Sequence, residues 1–200
     1  METDKYIELF YDHYKDTFGQ IKENLKRRDR YTIIIFSLII FLAFKVSNPD
    51  LAKSISFEVV NQKIGKIPID FKYLITGIYI ALFGVLISYY QIILANNKLY
   101  KYLKEIEKRL SGAMNPFQIE REGINYLGNR PLLLKVINKF YSVFFPIAVI
   151  LFVVFLWINE VNSVNICSWN FVINSIFLAG IAFVSLLYIS HRHFNDFRKR

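Results

Sequence analysis

An all-α integral membrane protein with four transmembrane helices is the fold class this sequence predicts, on three observations. Four long apolar runs without charge, residues 31–44, 73–97, 140–159 and 161–191, divide the 200-residue chain. The five segments flanking them carry 7, 5, 9, 0 and 4 Lys and Arg in chain order, so the cations crowd onto alternate segments. Hydrophobic residues make up 54% of the chain and its mean hydropathy is +0.31, more than a soluble domain with four such runs would tolerate. Cytoplasmic loops retain positive charge, which places segments one, three and five inside and both termini in the cytoplasm. The expected address is the bacterial inner membrane.

The resulting layout is a cytoplasmic amphipathic helix (1–30), a first span (31–47), an extracytoplasmic loop (48–71) and a second span (72–97). A cytoplasmic helical segment (98–139), a third span (140–159), an extracytoplasmic turn (160–169), a fourth span (170–191) and a basic tail (192–200) follow. Within the first thirty residues Ile7, Phe10, Tyr14, Phe18, Ile21 and Leu25 recur at spacings of three and four, one face of a helix. Acids and cations are equal in number there, so packing on protein is favoured over adsorption to the membrane surface. The first run is short for a span, which needs roughly 20 apolar residues, but Arg30 and Lys45 at its ends can extend their charges to the interface. It begins some thirty residues into the chain, and no small-x-small cleavage pattern follows Phe44, so it reads as a span and not as a leader.

Asn48-Pro49-Asp50 reads as a helix stop. Beyond it Ile55, Phe57 and Val59 alternate with Ser54, Ser56 and Glu58, and a second alternation runs through Ile64, Ile67 and Ile69, which allows a short extracytoplasmic hairpin. In the second span Gly77, Ala81, Gly84 and Ser88 form a small-residue stripe that permits close helix approach, within the chain or between copies. Leu99, Leu103, Ile106 and Leu110 continue that span into the cytoplasm as an amphipathic helix. Asn115-Pro116, with Gln118 at the capping-box position, opens a short helix over residues 117–127, and Pro131 opens the next. Pro146 lies early in the third span, where it removes a backbone donor.

The chemical inventory is sparse. No ionisable residue stands at the centre of a span, which argues against a proton-coupled transporter. The polar residues Gln91, Asn174, Ser175 and Ser185 serve either as a pore lining or, more in keeping with membrane bundles, as interhelical hydrogen-bond partners. His191 and His193 point in different directions on a helix, and Cys167 is the single cysteine, so no metal or disulfide is expected. No phosphate loop, nucleophile elbow or metalloprotease motif is present, and neither an enzyme nor a cofactor is expected. The excess of nine positive charges follows from positive-inside topology, so the lipid bilayer is the expected partner and direct nucleic-acid binding is not.

Three features carry a resemblance: the chain's size, the helical arm ending at Arg27-Arg28-Asp29-Arg30, and the stretch 100–110 leading to Ile119-Glu120-Arg121-Glu122-Gly123. In these the chain resembles the small four-span membrane accessory proteins of type VI-B CRISPR loci. It is similar also to the membrane subunit of the Kiwa defence system. The resemblance implies a homo-oligomeric inner-membrane protein that modulates or executes an antiviral response, and it assigns no catalytic residue. On this reading Leu99, Leu103, Ile106, Leu110 and Arg121 are expected to meet a cytoplasmic protein partner. The alternatives are an oligomeric channel or small-solute transporter, and an anchor for a soluble enzyme.

Overall fold

The computed structural model describes residues 2–64, 70–113, 136, 139–163 and 168–197. The short helix expected over 117–127, Arg121, Cys167 and the last three residues of the basic tail lie outside them. Among the described residues there is no strand. The elements are α1 (Glu2–Ser47), α2 (Pro49–Ile64), α3 (Phe71–Ala113), a π turn (Phe140–Phe144), α4 (Phe145–Ser163) and α5 (Trp169–Phe197). Among the described residues four helices are long and apolar enough to cross a membrane, within Lys5–Ser47, Phe71–Gly112, Phe140–Asn162 and Trp169–Arg192. This is the architecture of a multi-pass membrane protein. The short first run is the apolar portion of a 46-residue helix, so span length is not limiting.

One expectation is corrected. Residues 49–64 are helical, not the first strand of a hairpin; residues 65–69 are outside the description. Pro49 cannot donate a backbone hydrogen bond and breaks α1 at Asn48, but it is well suited to a first helical turn. The Asn48 carbonyl accepts from Ala52 N at 3.0 Å, so the stop of α1 is also the start of α2. The buried positions of α2 are Ala52 and Ser56, four apart, and Ser56 Oγ donates to the Ala52 carbonyl at 2.6 Å. The alternating Ile55, Phe57 and Val59 do not define its packing face: Ile55 and Val59 are exposed.

The chain divides into two compact units. One comprises Met1–Arg30 and Tyr89–Asn138. In it Tyr14 and Ile21 of α1 bury against Tyr100, Leu103, Ile106 and Leu110 of α3, flanked by Ile7, Phe10, Phe18, Leu25 and Leu99. The Arg109 guanidinium stands 5.8 Å from the Phe10 ring centroid, joining the same two helices by a cation–π contact. The amphipathic N-terminal helix is thus packed on protein.

The other unit comprises Tyr31–Ser88 and Lys139–Arg200. Its helices meet along stripes of period 3.6: Val149, Val153, Leu156 and Glu160 on α4, and Asn174, Leu178, Ile181, Ser185 and Tyr188 on α5, are all buried. Phe36 of α1 meets Phe145 of α4 edge-on at 5.9 Å, and Phe83 of α3 meets Phe177 of α5 at 5.8 Å. Gly180 of α5 lets α3 approach: a Cβ there would lie 3.1 Å from the Phe83 ring. The π turn precedes Pro146; its wider ladder relieves the crowding that a proline ring imposes on the carbonyl four residues back.

Candidate functional site

Polar side chains of the span unit gather where α1 and α4 finish and α3 and α5 begin. Glu160, in the last turns of α4, is 3% exposed. Its Oε1 accepts from Lys45 Nζ of α1 at 3.1 Å and from Tyr79 Oη of α3 at 3.0 Å. One carboxylate therefore ties three helices together. Beside it, Thr76 Oγ1 of α3 lies 2.7 Å from Asn174 Oδ1 of α5 and 3.1 Å from the Lys72 carbonyl, two acceptors that share its single proton.

Two of the helices that begin at this end, α3 and α5, are capped by side chains. Asp70 Oδ1 accepts from Lys72 N at 3.2 Å at the start of α3, and Ser168 Oγ accepts from Phe171 N at 3.3 Å at the start of α5. Asp70 also pairs with Lys72 Nζ at 3.0 Å. Hydrogen bonds from Lys72, aided by the nearby charges of Lys72 and Lys53, hold the Asp70 carboxyl below the usual carboxylate range.

These groups, together with Pro49, Asp50 and Lys53 from the first two turns of α2, line a cavity of about 540 Å³. Its buried wall includes Glu160, Ile75 and Asn174, and its exposed wall Asp50, Lys53, Asp70 and Lys72. Three lysines and three acids face it.

The polar residues singled out in the sequence do not converge. Asn174 bonds α3, whereas Ser175 accepts from Trp157 Nε1 of α4 at 3.2 Å. Ser185 is fully buried on α5, and Gln91 is exposed on the part of α3 belonging to the other unit. Adjacent residues thus serve different helix pairs. Leu103, Ile106 and Leu110 are buried and Leu99 is partly buried against α1, so a partner using this stripe would have to displace the N-terminal helix.

Gly77, Ala81 and Gly84 are exposed and Ser88 is half-buried. The buried stripe of α3 is Ile75, Tyr79, Leu82 and Leu86, offset from the small residues by two positions, or roughly 200° around a helix of 3.6 residues per turn. A Cβ built at Gly77 or Gly84 would meet no atom within 4 Å. Ser88 Oγ donates to the Gly84 carbonyl at 3.0 Å.

Sequence reasoning missed the Lys45–Glu160–Tyr79 cluster because Glu160 was assigned to a polar turn. The available signal was the run Val149, Val153, Leu156, Glu160, whose spacing carries the buried face of α4 through the carboxylate. No protein-family model, no curated protein and no solved structure matches the chain.

Proposed function

We propose that the chain is a non-enzymatic accessory or effector protein of the bacterial inner membrane that assembles with copies of itself through α3. The face of Gly77, Ala81, Gly84 and Ser88, exposed at its first three positions, is the observation that carries this reading. Lipid tails are as apolar as leucine, so helices associate in a bilayer through close packing, and small residues at four- and three-residue intervals provide it. Here the stripe lies opposite the face that α3 uses within its own chain, which leaves it to a second copy.

The orientation that goes with the proposal has both termini in the cytoplasm, from the alternation of Lys and Arg. The unit formed by Met1–Arg30 and Tyr89–Asn138 would then be the cytoplasmic one, and a protein partner would engage it there. The process proposed is prokaryotic antiviral defence, supported by the similarity in layout to the four-span accessory and effector proteins of such systems.

The assembly claim is tested with the full chain bearing Gly84→Leu. Expected are a smaller particle mass in detergent, loss of crosslinks between copies in membranes, and loss of any protection that the wild-type chain gives cells challenged with phage. An unchanged mass and crosslinking pattern would refute assembly through α3. A wild-type chain that assembles but gives cells no protection against phage would refute the defence role alone.

A further inference from the structure

The cavity at the end of the spans holds six formal charges, three of each sign, and four of them neutralise each other. Lys45 pairs with Glu160 at 3.1 Å, and Lys72 pairs with Asp70 at 3.0 Å. Asp50 and Lys53 are the remainder. Both are exposed, both come from the first two turns of α2, and neither forms an ion pair among the described residues, Lys53 acting on Asp70 only at longer range. The volume, about 540 Å³, is that of a small-molecule site, for which 300–1,000 Å³ is typical. No group of three His, Cys, Asp or Glu among the described residues is gathered to hold a metal ion.

We infer that this cavity binds a small zwitterionic group, an ammonium and an oxyanion on one short frame, with Asp50 facing the ammonium and Lys53 the oxyanion. The choice follows from charge matching. A ligand of single charge would satisfy one of the two residues that stand outside the ion pairs and repel the other. A zwitterion satisfies both and leaves the cavity neutral, so neither existing ion pair has to open. Asn174 and Ser168, which also line the cavity, offer neutral hydrogen-bonding groups, as sites that orient small polar ligands do. The same chemistry has two sources: a free phosphodiester solute such as glycerophosphoethanolamine, or the ethanolamine headgroup of a phospholipid at the level where the spans end.

The test uses the full-length chain in detergent and in nanodiscs. Glycerophosphoethanolamine should raise the thermal unfolding midpoint and give a binding isotherm, while phosphate or ethylamine at equal concentration should not. Lys53→Gln and Asp50→Asn should each weaken that binding about tenfold, the expected result of losing one charged hydrogen bond. Both residues are exposed, so the unliganded midpoint should stay at the wild-type value, which separates lost binding from lost folding. If the free solute has no effect but phosphatidylethanolamine is retained over phosphatidylglycerol, and that preference disappears in both variants, the inference stands with a lipid as the source. It is overturned if neither form binds, if phosphate alone binds as well, or if both variants bind like wild type.

Discussion

Replacing Glu160 by glutamine removes one charge from a carboxylate that is 3% exposed and joined to Lys45 and Tyr79 through the same oxygen. Two unit charges at 3.1 Å attract by roughly 5 kcal/mol at an effective dielectric near 20. Withdrawing each ion from water costs several kcal/mol, so the intact pair contributes little against an apolar pair of similar volume. Breaking it is different. The Lys45 side chain is 13% exposed and has little water to turn to once its partner is neutral. Glu160→Gln should therefore destabilise the span unit by about 3 kcal/mol, near the lower edge for a broken buried pair, because the amide still offers Tyr79 an acceptor. Glu160→Ala removes that acceptor as well and should cost about 5 kcal/mol.

Lys45→Met leaves the buried carboxylate without its cation and should cost about 3–5 kcal/mol, whereas Lys45→Met with Glu160→Met should end only about 2 kcal/mol below wild type, the loss being that of the acceptor for the buried Tyr79 hydroxyl. The assay is unfolding in detergent followed by tryptophan fluorescence. Both tryptophans, Trp157 and Trp169, belong to the span unit, so the signal reports that unit. A Glu160→Gln variant within about 0.5 kcal/mol of wild type, or a double variant as unstable as the sum of the singles, would refute the reasoning.

Three further outcomes follow from single contacts. Gly180→Ala places a Cβ 3.1 Å from the edge of the Phe83 ring, which can shift by a few tenths of an ångström, so its cost should stay below about 1 kcal/mol; Gly180→Leu overfills the α3–α5 contact and should cost about 1–3 kcal/mol in the same assay. Leu103→Ala empties a fully buried position in the other unit and should cost about 2–5 kcal/mol, read as faster hydrogen exchange over the first turns of α1. Lys72→Met removes the main hydrogen bond holding the Asp70 carboxyl low, so Asp70 should titrate closer to its ordinary value by carboxylate NMR. The sign is that of a depressed acid: whatever Asp70 contributes is present above the ordinary carboxylate range and fades as pH falls through its lowered value.

Periodicity made the helices legible where large residues mark the buried face. Tyr14 and Ile21 of α1, and Leu103, Ile106 and Leu110 of α3, sit at helical spacing in the sequence and in one core in the structure. The same logic failed for α2, whose buried face is Ala52 and Ser56. Such side chains add little to a hydrophobic pattern, so the louder alternation of Ile55, Phe57 and Val59 suggested a strand. The candidate site was hidden for a related reason. Lys45, Asp70 and Glu160 are far apart in the chain and stand singly at the ends of apolar runs, where a charge reads as a boundary. Only the antiparallel order of the helices brings those boundaries together.

The two faces of α3 separate packing from assembly. Tyr79, Leu82 and Leu86 fill the interior of the chain, and the glycines on the opposite side leave a flat track beside lipid. Exposed leucines and phenylalanines elsewhere on the spans, such as Leu151, Phe155 and Phe183, need no partner because lipid serves them as well as protein would. Exposed glycines gain nothing from lipid and lose helix propensity, a cost that close approach of another helix offsets. The cavity lies on other residues, Asp50 and Lys53 of α2 among them, so the two proposals come apart by mutation. Gly84→Leu should abolish assembly and leave zwitterion binding intact, while Lys53→Gln should do the reverse. A variant pair that lost both properties together would mean that the cavity forms only in the assembled state, and the charge-matching argument would then have to be rebuilt on residues from two copies.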